Sequence, residues 1–73
     1  MASETTEALG ANIKLLREKK GWTQAELAKE CEVSRPRIAE IESGKFNPSV
    51  ETVENIANKL GVRISRLFRV PAA

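Results

Sequence analysis

Three charged side chains near the middle of this sequence are chemically suited to recognise polar partners. Arg35 and Arg37 are two residues apart, and Glu40 follows three residues later. A guanidinium can donate two parallel hydrogen bonds to guanine O6 and N7, and a carboxylate can accept one from cytosine N4. These residue types would therefore allow direct contact with base edges. The alternative is that all three are solvated surface charges.

Catalytic and metal-binding residue types are scarce by comparison. The 73 residues contain no histidine, no aspartate and a single cysteine, Cys31. No zinc ligand set, nucleophile–base pair or phosphate-binding glycine loop can be assembled from what remains. We therefore predict no enzymatic activity, no metal, no cofactor and no small-molecule ligand. Cys31 falls at an apolar position of a predicted helix, and we interpret it as a small core residue rather than a redox-sensing thiol.

Apolar residues at helical spacing predict the elements that position the charged residues. Capping residues mark where the helices start, and glycines mark where several of them end. There is no alternating β-branched run that would indicate a strand. Residues 1–73 are therefore predicted to form one all-α domain, with a flexible tail at 1–5 and a short tail at 69–73. The predicted helices cover Thr6–Lys20, a segment starting at Thr23, Ser34 to Gly44, Ser49–Leu60 and a short turn near Ser65–Phe68.

The second and third predicted helices are joined by only a few residues around 32–34. So short a connection makes two helices cross steeply, which is the helix-turn-helix arrangement. The motif runs from about Gln24 to Ser43. In this arrangement the second helix lies in the DNA major groove, and the first helix crosses the backbone.

The predicted recognition helix has few side chains left for DNA once its core positions are assigned. Ile38 and Ile41 are needed inside, and Pro36 can offer only an apolar contact, for example to a thymine methyl group. The base-reading candidates are Arg35, Pro36, Arg37 and Glu40.

Several sequence pieces, taken together, resemble the phage-repressor and Cro type of helix-turn-helix, often called the XRE family. The resemblance covers about Leu9 to Phe68. It implies a five-helix, repressor-like fold and a transcriptional regulator that binds double-stranded DNA sequence-specifically. The pieces are I-x-x-L-R at 13–17, G-W-T-Q-A-E-L-A at 21–28, V-S-x-x-x-I-x-x-I-E-x-G-K at 33–45, P-S-V-E-T at 48–52 and A-x-K-L-G-V at 57–62.

The resemblance also implies roles outside the recognition helix. Gln24 would contact a DNA phosphate at the start of the second helix, whose backbone N–H groups favour anions. The alternative for Thr23 is that it only caps this helix. Arg17 and Glu42 would form a mostly buried ion pair that belongs to the scaffold. The candidate contacts to the DNA backbone are Thr23, Gln24, Ser34, Lys45 and Asn47.

Proteins of this type usually bind DNA as two-fold dimers whose recognition helices lie about 34 Å apart and read palindromic half-sites. We therefore expect a homodimer, with Ile64, Leu67 and Phe68 as interface candidates; the alternative for these three is the core of the monomer. The size and layout are most similar to controller proteins of restriction–modification systems. Cro-like repressors, antitoxins and protein-interaction modules of the same fold are the alternatives.

Composition narrows the location of the protein. Charged residues make up 30% of the chain and hydrophobic residues 41%, which is ordinary for a globular protein. No apolar run approaches the ~18 residues that a membrane span needs. The polar, acidic segment Met1–Glu7 does not look like a signal peptide. We expect a cytoplasmic protein with no membrane partner.

Overall fold

The computed structural model describes residues 3–70, and over that range the chain forms five α-helices and no β-strand. Short loops connect the helices, and all five contribute to one core. The all-α, five-helix architecture expected from the sequence is confirmed. The helices are α1 (Glu4–Lys19), α2 (Gln24–Cys31), α3 (Arg35–Glu42), α4 (Val50–Leu60) and α5 (Ile64–Leu67).

Helix α1 begins two residues earlier than predicted. The hydroxyl of Ser3 accepts a hydrogen bond from the backbone N–H of Thr6 at 3.1 Å, so Ser3 is the N-cap and Glu4 starts the helix. Residues 4 and 5 of the predicted tail therefore belong to α1, and residues 1–2 lie outside the described part. At the other end, Arg69 and Val70 follow α5 without helical structure. Residues 71–73 of the predicted tail also lie outside the described part.

The start of α2 is fixed by a reciprocal pair of hydrogen bonds. The hydroxyl of Thr23 accepts from the backbone N–H of Glu26 at 3.1 Å, and the Glu26 carboxylate accepts from the backbone N–H of Thr23 at 2.8 Å. This contact to the Thr23 N–H lowers the pKa of Glu26 below its ordinary value. Thr23 and Glu26, at T-x-x-E spacing, thus form a capping box.

The turn between α2 and α3 sets how the two helices cross. Glu32 ends α2 in the left-handed region, with φ at 57°, and the backbone N–H of Val33 donates to Ala28 O at 3.0 Å. Val33 packs partly buried against the core, as expected of a turn residue that fills the space between two helices. The hydroxyl of Ser34 then accepts from the backbone N–H of Arg37 and caps α3.

Helix α5 completes the core from the C-terminal side. Leu67 is fully buried in the monomer, because α5 packs against both α1 and α4. Its selection as a dimer-interface residue is therefore wrong. Asn12, buried on α1, holds this segment by donating to Leu67 O at 2.8 Å and to Arg69 O at 2.7 Å.

Helices α1 and α3 approach each other closely at one glycine. A Cβ atom on Gly10 would lie 2.6 Å from the carbonyl oxygen of Glu42 and would also overlap that of Ile41. Any side chain at this position would separate the two helices. Gly10 therefore sets the distance at which α1 supports the recognition helix from behind.

The single cysteine lies in the core, at the end of α2. Cys31 is 2% exposed, and burial raises the pKa of its thiol to about 11. A buried thiol with a raised pKa is a poor nucleophile at neutral pH. This environment fits the interpretation of Cys31 as a small core residue.

Candidate nucleic-acid interface

Helix α3 separates an outer polar face from an inner apolar face. Ile38 and Ile41 are fully buried, whereas Arg35, Pro36 and Glu40 are exposed. Pro36 lies in the first turn of the helix, where its missing N–H leaves no hydrogen bond unmade. The structure thus places three of the four predicted base-reading residues on the surface. The fourth, Arg37, is half-buried at the edge of that face.

A buried ion pair fixes the end of α3 to α1. The Arg17 guanidinium donates from Nε to Glu42 Oε2 at 2.6 Å and from Nη2 to Glu42 Oε1 at 3.1 Å. Its third donor, Nη1, reaches the carbonyl oxygen of Trp22 at 2.7 Å. The hydrogen bonds to Glu42 raise the pKa of Arg17 above its ordinary value. The pair that the family resemblance implied is formed, and its two side chains are only 9% and 4% exposed.

Gln24 connects this ion pair to the start of the recognition helix. Its side-chain Nε2 donates to Glu42 Oε1 at 3.0 Å, and its Oε1 accepts from Arg35 Nη1 at 3.3 Å. Both ends of the amide are therefore engaged with protein groups, which the sequence did not predict. A phosphate contact at this position would fall to the backbone N–H groups at the start of α2, the groups that the sequence argument invoked.

Arg37 is held on two sides in the folded chain. Its Nη1 donates to Glu40 Oε1 at 3.3 Å, and the guanidinium carbon lies 3.6 Å from the centroid of the Phe46 ring. This distance is well within the range of a cation–π contact. Phe46 was not among the residues predicted from the sequence. The signal that could have identified it is an aromatic residue in an otherwise polar loop directly after the recognition helix.

The loop after α3 carries the remaining candidate contacts to the DNA backbone. Lys45 and Asn47 are exposed on either side of Phe46. The backbone N–H of Lys45 donates to Glu40 O at 3.0 Å, so the loop is tied to the last turn of α3. Thr23 and Ser34 are also exposed, each at the N-cap of its helix.

The two remaining dimer candidates differ in exposure. Phe68 is 38% exposed, whereas Ile64 is half-buried and packs against the core. Ile64 also lines a shallow groove between the end of α4 and the start of α5, where Ala57 and Val62 alternate with polar and charged residues. The exposed apolar surface near α5 is therefore mainly the ring of Phe68 and is smaller than the sequence suggested.

Two negative findings apply to residues 3–70. No group of three or more metal-ligating side chains comes together there. Each helix in that range is too short or too polar to span a membrane.

Sequence comparison agrees with this geometry. The family described as Helix-turn-helix, HTH_3, matches residues 13–67. This chain belongs to that family. The match includes the whole of α2 to α5 and the second half of α1.

Named relatives include regulators from phage and bacteria. The immunity repressor protein of Bacillus phage phi105 is 37% identical over 59 residues, which are 81% of this chain and 41% of the phage protein. A hypothetical transcription factor of Neisseria meningitidis is 35% identical over 63 residues, which are 86% of this chain and 59% of that protein. This chain therefore spans about two fifths of the first relative and three fifths of the second.

Solved structures with the same fold cover almost the whole chain. The transcription factor NHTF from Neisseria superposes with a TM-score of 0.88 at 32% identity, over 94% of this chain and 82% of its own. The restriction–modification controller protein C.AhdI from Aeromonas hydrophila superposes with a TM-score of 0.83 at 27% identity, over 86% of this chain and 96% of its own. The biofilm regulator SinR, solved in complex with DNA, superposes with a TM-score of 0.79 at 31% identity, over 84% of this chain and 98% of its own. The resemblance to repressors and controller proteins is thus confirmed.

Proposed function

We propose that this protein is a transcriptional regulator that binds palindromic double-stranded DNA sites as a homodimer, with α3 in the major groove. The observation that carries the proposal is the division of α3 into two faces. Arg35, Pro36 and Glu40 are exposed on one face, while Ile38 and Ile41 are fully buried on the other. The SinR complex with DNA supports it, because that chain has the same fold at 31% identity.

Base reading is assigned to the outer face of α3. Arg35 stands at the first position of the helix, the end that approaches base edges in this motif. Its contact with Gln24 directs the guanidinium without burying it. Glu40 can accept from cytosine N4 or orient Arg37, and Pro36 supplies an apolar contact.

Contacts to the DNA backbone are assigned to the two helix N-termini and to the loop after α3. The hydroxyls of Thr23 and Ser34 each accept a capping hydrogen bond, but each keeps its own proton to donate to a phosphate oxygen. Lys45 and Asn47 extend from the loop that follows α3. Gln24 acts through the backbone N–H at the start of α2. Such contacts fix the register of the protein on DNA.

Self-association is assigned to the surface around α5. The exposed ring of Phe68 and the mixed apolar and polar groove that Ile64 lines are the surface that a second copy would cover. Leu67 supports this surface from inside the monomer. A controller of restriction–modification genes is the proposed biological setting, on the strength of the likeness to C.AhdI. The cytoplasmic location and the lack of enzymatic activity stay predictions.

The test of DNA binding is selection of sites from random duplex DNA, followed by a salt titration on the enriched site. We expect one enriched sequence with two-fold symmetry, and an affinity that falls steeply with salt as counterions are released. Arg35→Gln should relax the preference at one base position in each half-site, whereas Lys45→Gln should weaken all sequences alike. Absence of enrichment would remove the proposal and favour a protein-interaction module.

The test of the dimer uses two exposed apolar residues as a matched pair. Phe68 is 38% exposed near α5, and Leu15 is 44% exposed on α1. Sedimentation equilibrium should show that Phe68→Ser weakens self-association, while Leu15→Ser leaves it unchanged. A monomeric wild-type protein on DNA, or an enriched site without symmetry, would contradict the dimer.

A further inference from the structure

The loop residue Phe46 has two separate sets of contacts. It is half-buried and packs against the hydrophobic core, so the ring is held in place from behind. Its face also lies against Arg37, with 3.6 Å between the guanidinium carbon and the ring centroid. A ring anchored in the core thus presents a flat surface to a charged side chain of the recognition helix.

We propose that Phe46 is a positioning residue for DNA recognition, acting through Arg37, whose guanidinium it holds flat for contact with DNA. This inference rests on the proposed function, since Arg37 must meet DNA for its orientation to matter. The contact fits arginine in particular, because a planar guanidinium stacks on an aromatic face and a compact ammonium does not.

Two neighbours together fix the orientation of the guanidinium. The ring of Phe46 sets its plane, and Glu40, at 3.3 Å from Nη1, sets its rotation within that plane. Within residues 3–70, Nη1 is the guanidinium nitrogen of Arg37 that has a protein partner. Nη2 and Nε remain to donate two parallel hydrogen bonds, which is the geometry that guanine or a phosphate accepts.

Fixing the side chain in advance favours binding for an entropic reason. An unsupported arginine populates many rotamers, and immobilising it on DNA opposes association. A guanidinium that is already held flat loses less freedom when DNA arrives. The benefit disappears if the arginine is removed, so the effect of Phe46 on binding must depend on Arg37.

The test is a double-mutant cycle on the operator obtained by selection. Phe46→Leu keeps an apolar side chain against the core but removes the aromatic face. We expect it to weaken DNA binding about two- to fivefold in the presence of Arg37, the size of an exposed cation–π contact. In the Arg37→Gln background the same change should have no effect. Phe46→Tyr, which keeps the ring, should restore wild-type affinity.

Arg35 provides the matched control. It contacts Gln24 rather than Phe46, so Phe46→Leu should cost the same two- to fivefold in the Arg35→Gln background as in wild type. Thermal unfolding of each variant verifies that the fold is kept.

Two results would overturn the inference while leaving the proposed function intact. One is an equal loss from Phe46→Leu with and without Arg37. The other is full affinity in Arg37→Gln. Failure of the proposed function would look different, because the wild-type protein would then enrich no DNA sequence.

Discussion

Helix α3 takes part in two arginine–glutamate pairs that differ in almost every physical respect. Arg17 and Glu42 are 2.6 Å apart, with side chains 9% and 4% exposed. Arg37 and Glu40 are 3.3 Å apart, with side chains 42% and 52% exposed. The first pair joins two helices and is closed to water. The second lies within one helix and is open to solvent.

The difference shows how one short helix can be both anchored and available. A buried pair is hard to break, because removing one partner leaves a charge without solvent or counterion. An exposed pair contributes little to stability, because water and salt compete with it. The groups at the exposed site therefore remain accessible to DNA, while the buried pair holds the helix in position.

Removal of Arg17 should have the largest effect of any single change discussed. Arg17→Ala leaves Glu42 buried with only the Gln24 amide as a side-chain donor, and we expect a loss of about 3–5 kcal/mol in the free energy of unfolding. Urea unfolding followed by circular dichroism measures it. Arg63→Ala, at an exposed arginine, should change stability by less than about 0.5 kcal/mol. Equal effects at the two arginines would contradict the buried role.

A double change sharpens this first prediction. Replacing both partners, as Arg17→Met with Glu42→Leu, removes the uncompensated charge together with the pair. Such replacements in other proteins are often neutral or stabilising. We therefore expect most of the stability lost in Arg17→Ala to return. In this double variant α3 stays packed on α1, but the Gln24 amide loses Glu42 as its acceptor. The effect of Gln24 on DNA binding can then be measured apart from the stability of the fold.

Gly10 tests the geometry behind the buried pair. Alanine is favoured over glycine within a helix by about 1 kcal/mol, so Gly10→Ala would stabilise the protein if space were available. A Cβ atom there would lie 2.6 Å from Glu42 O, however, so α1 must move away from α3. We expect a net loss of about 1–3 kcal/mol, as for other overpacked sites. Ala11→Gly, at an exposed neighbouring position, is the control that measures helix propensity alone. A gain in stability for Gly10→Ala would contradict the close approach of α1 and α3.

The exposed pair should show the opposite balance between stability and binding. We expect Arg37→Gln to change the free energy of unfolding by at most about 1 kcal/mol, because the pair with Glu40 and the contact with Phe46 are both open to solvent. The same variant should bind the selected operator measurably less tightly. Urea unfolding and a DNA titration on one preparation give both numbers. A large loss of stability with unchanged DNA affinity would make this pair part of the scaffold instead.

The sequence predicted contacts between neighbouring residues better than contacts between separate segments of the chain. Capping residues such as Ser34 act through neighbours three positions away, so their role can be read locally. Phe46 meets Arg37 only after the chain has turned at Gly44, and no local pattern encodes that contact. Leu67 was misplaced for a similar reason. A four-residue helix is too short for periodicity to distinguish its inner side from its outer side.

A third carboxylate, Glu26, is exposed like Glu40 but has a backbone N–H instead of an arginine as its partner. Glu26 is exposed, yet it accepts a hydrogen bond from the backbone N–H of Thr23 at 2.8 Å. That contact lowers its pKa from the ordinary value of 4.5. A carboxyl group with a lowered pKa in the folded state binds fewer protons there than in the unfolded state. Its contribution to stability is therefore complete above pH 4.5 and is lost as the pH falls through the folded-state pKa.

The smallest expected effect follows from this titration. Between pH 6 and pH 3, the unfolding midpoint of wild type should fall slightly more steeply than that of Glu26→Gln, which can still cap the helix but cannot take up a proton. Carbon-13 NMR of the Glu26 carboxyl group gives its pKa directly. Thr23→Ala keeps the backbone N–H but removes the hydroxyl, so it should leave the pKa lowered, though by less. A pKa of 4.5 or above in wild type would mean that the backbone N–H of Thr23 does not favour the charged form of this exposed carboxylate.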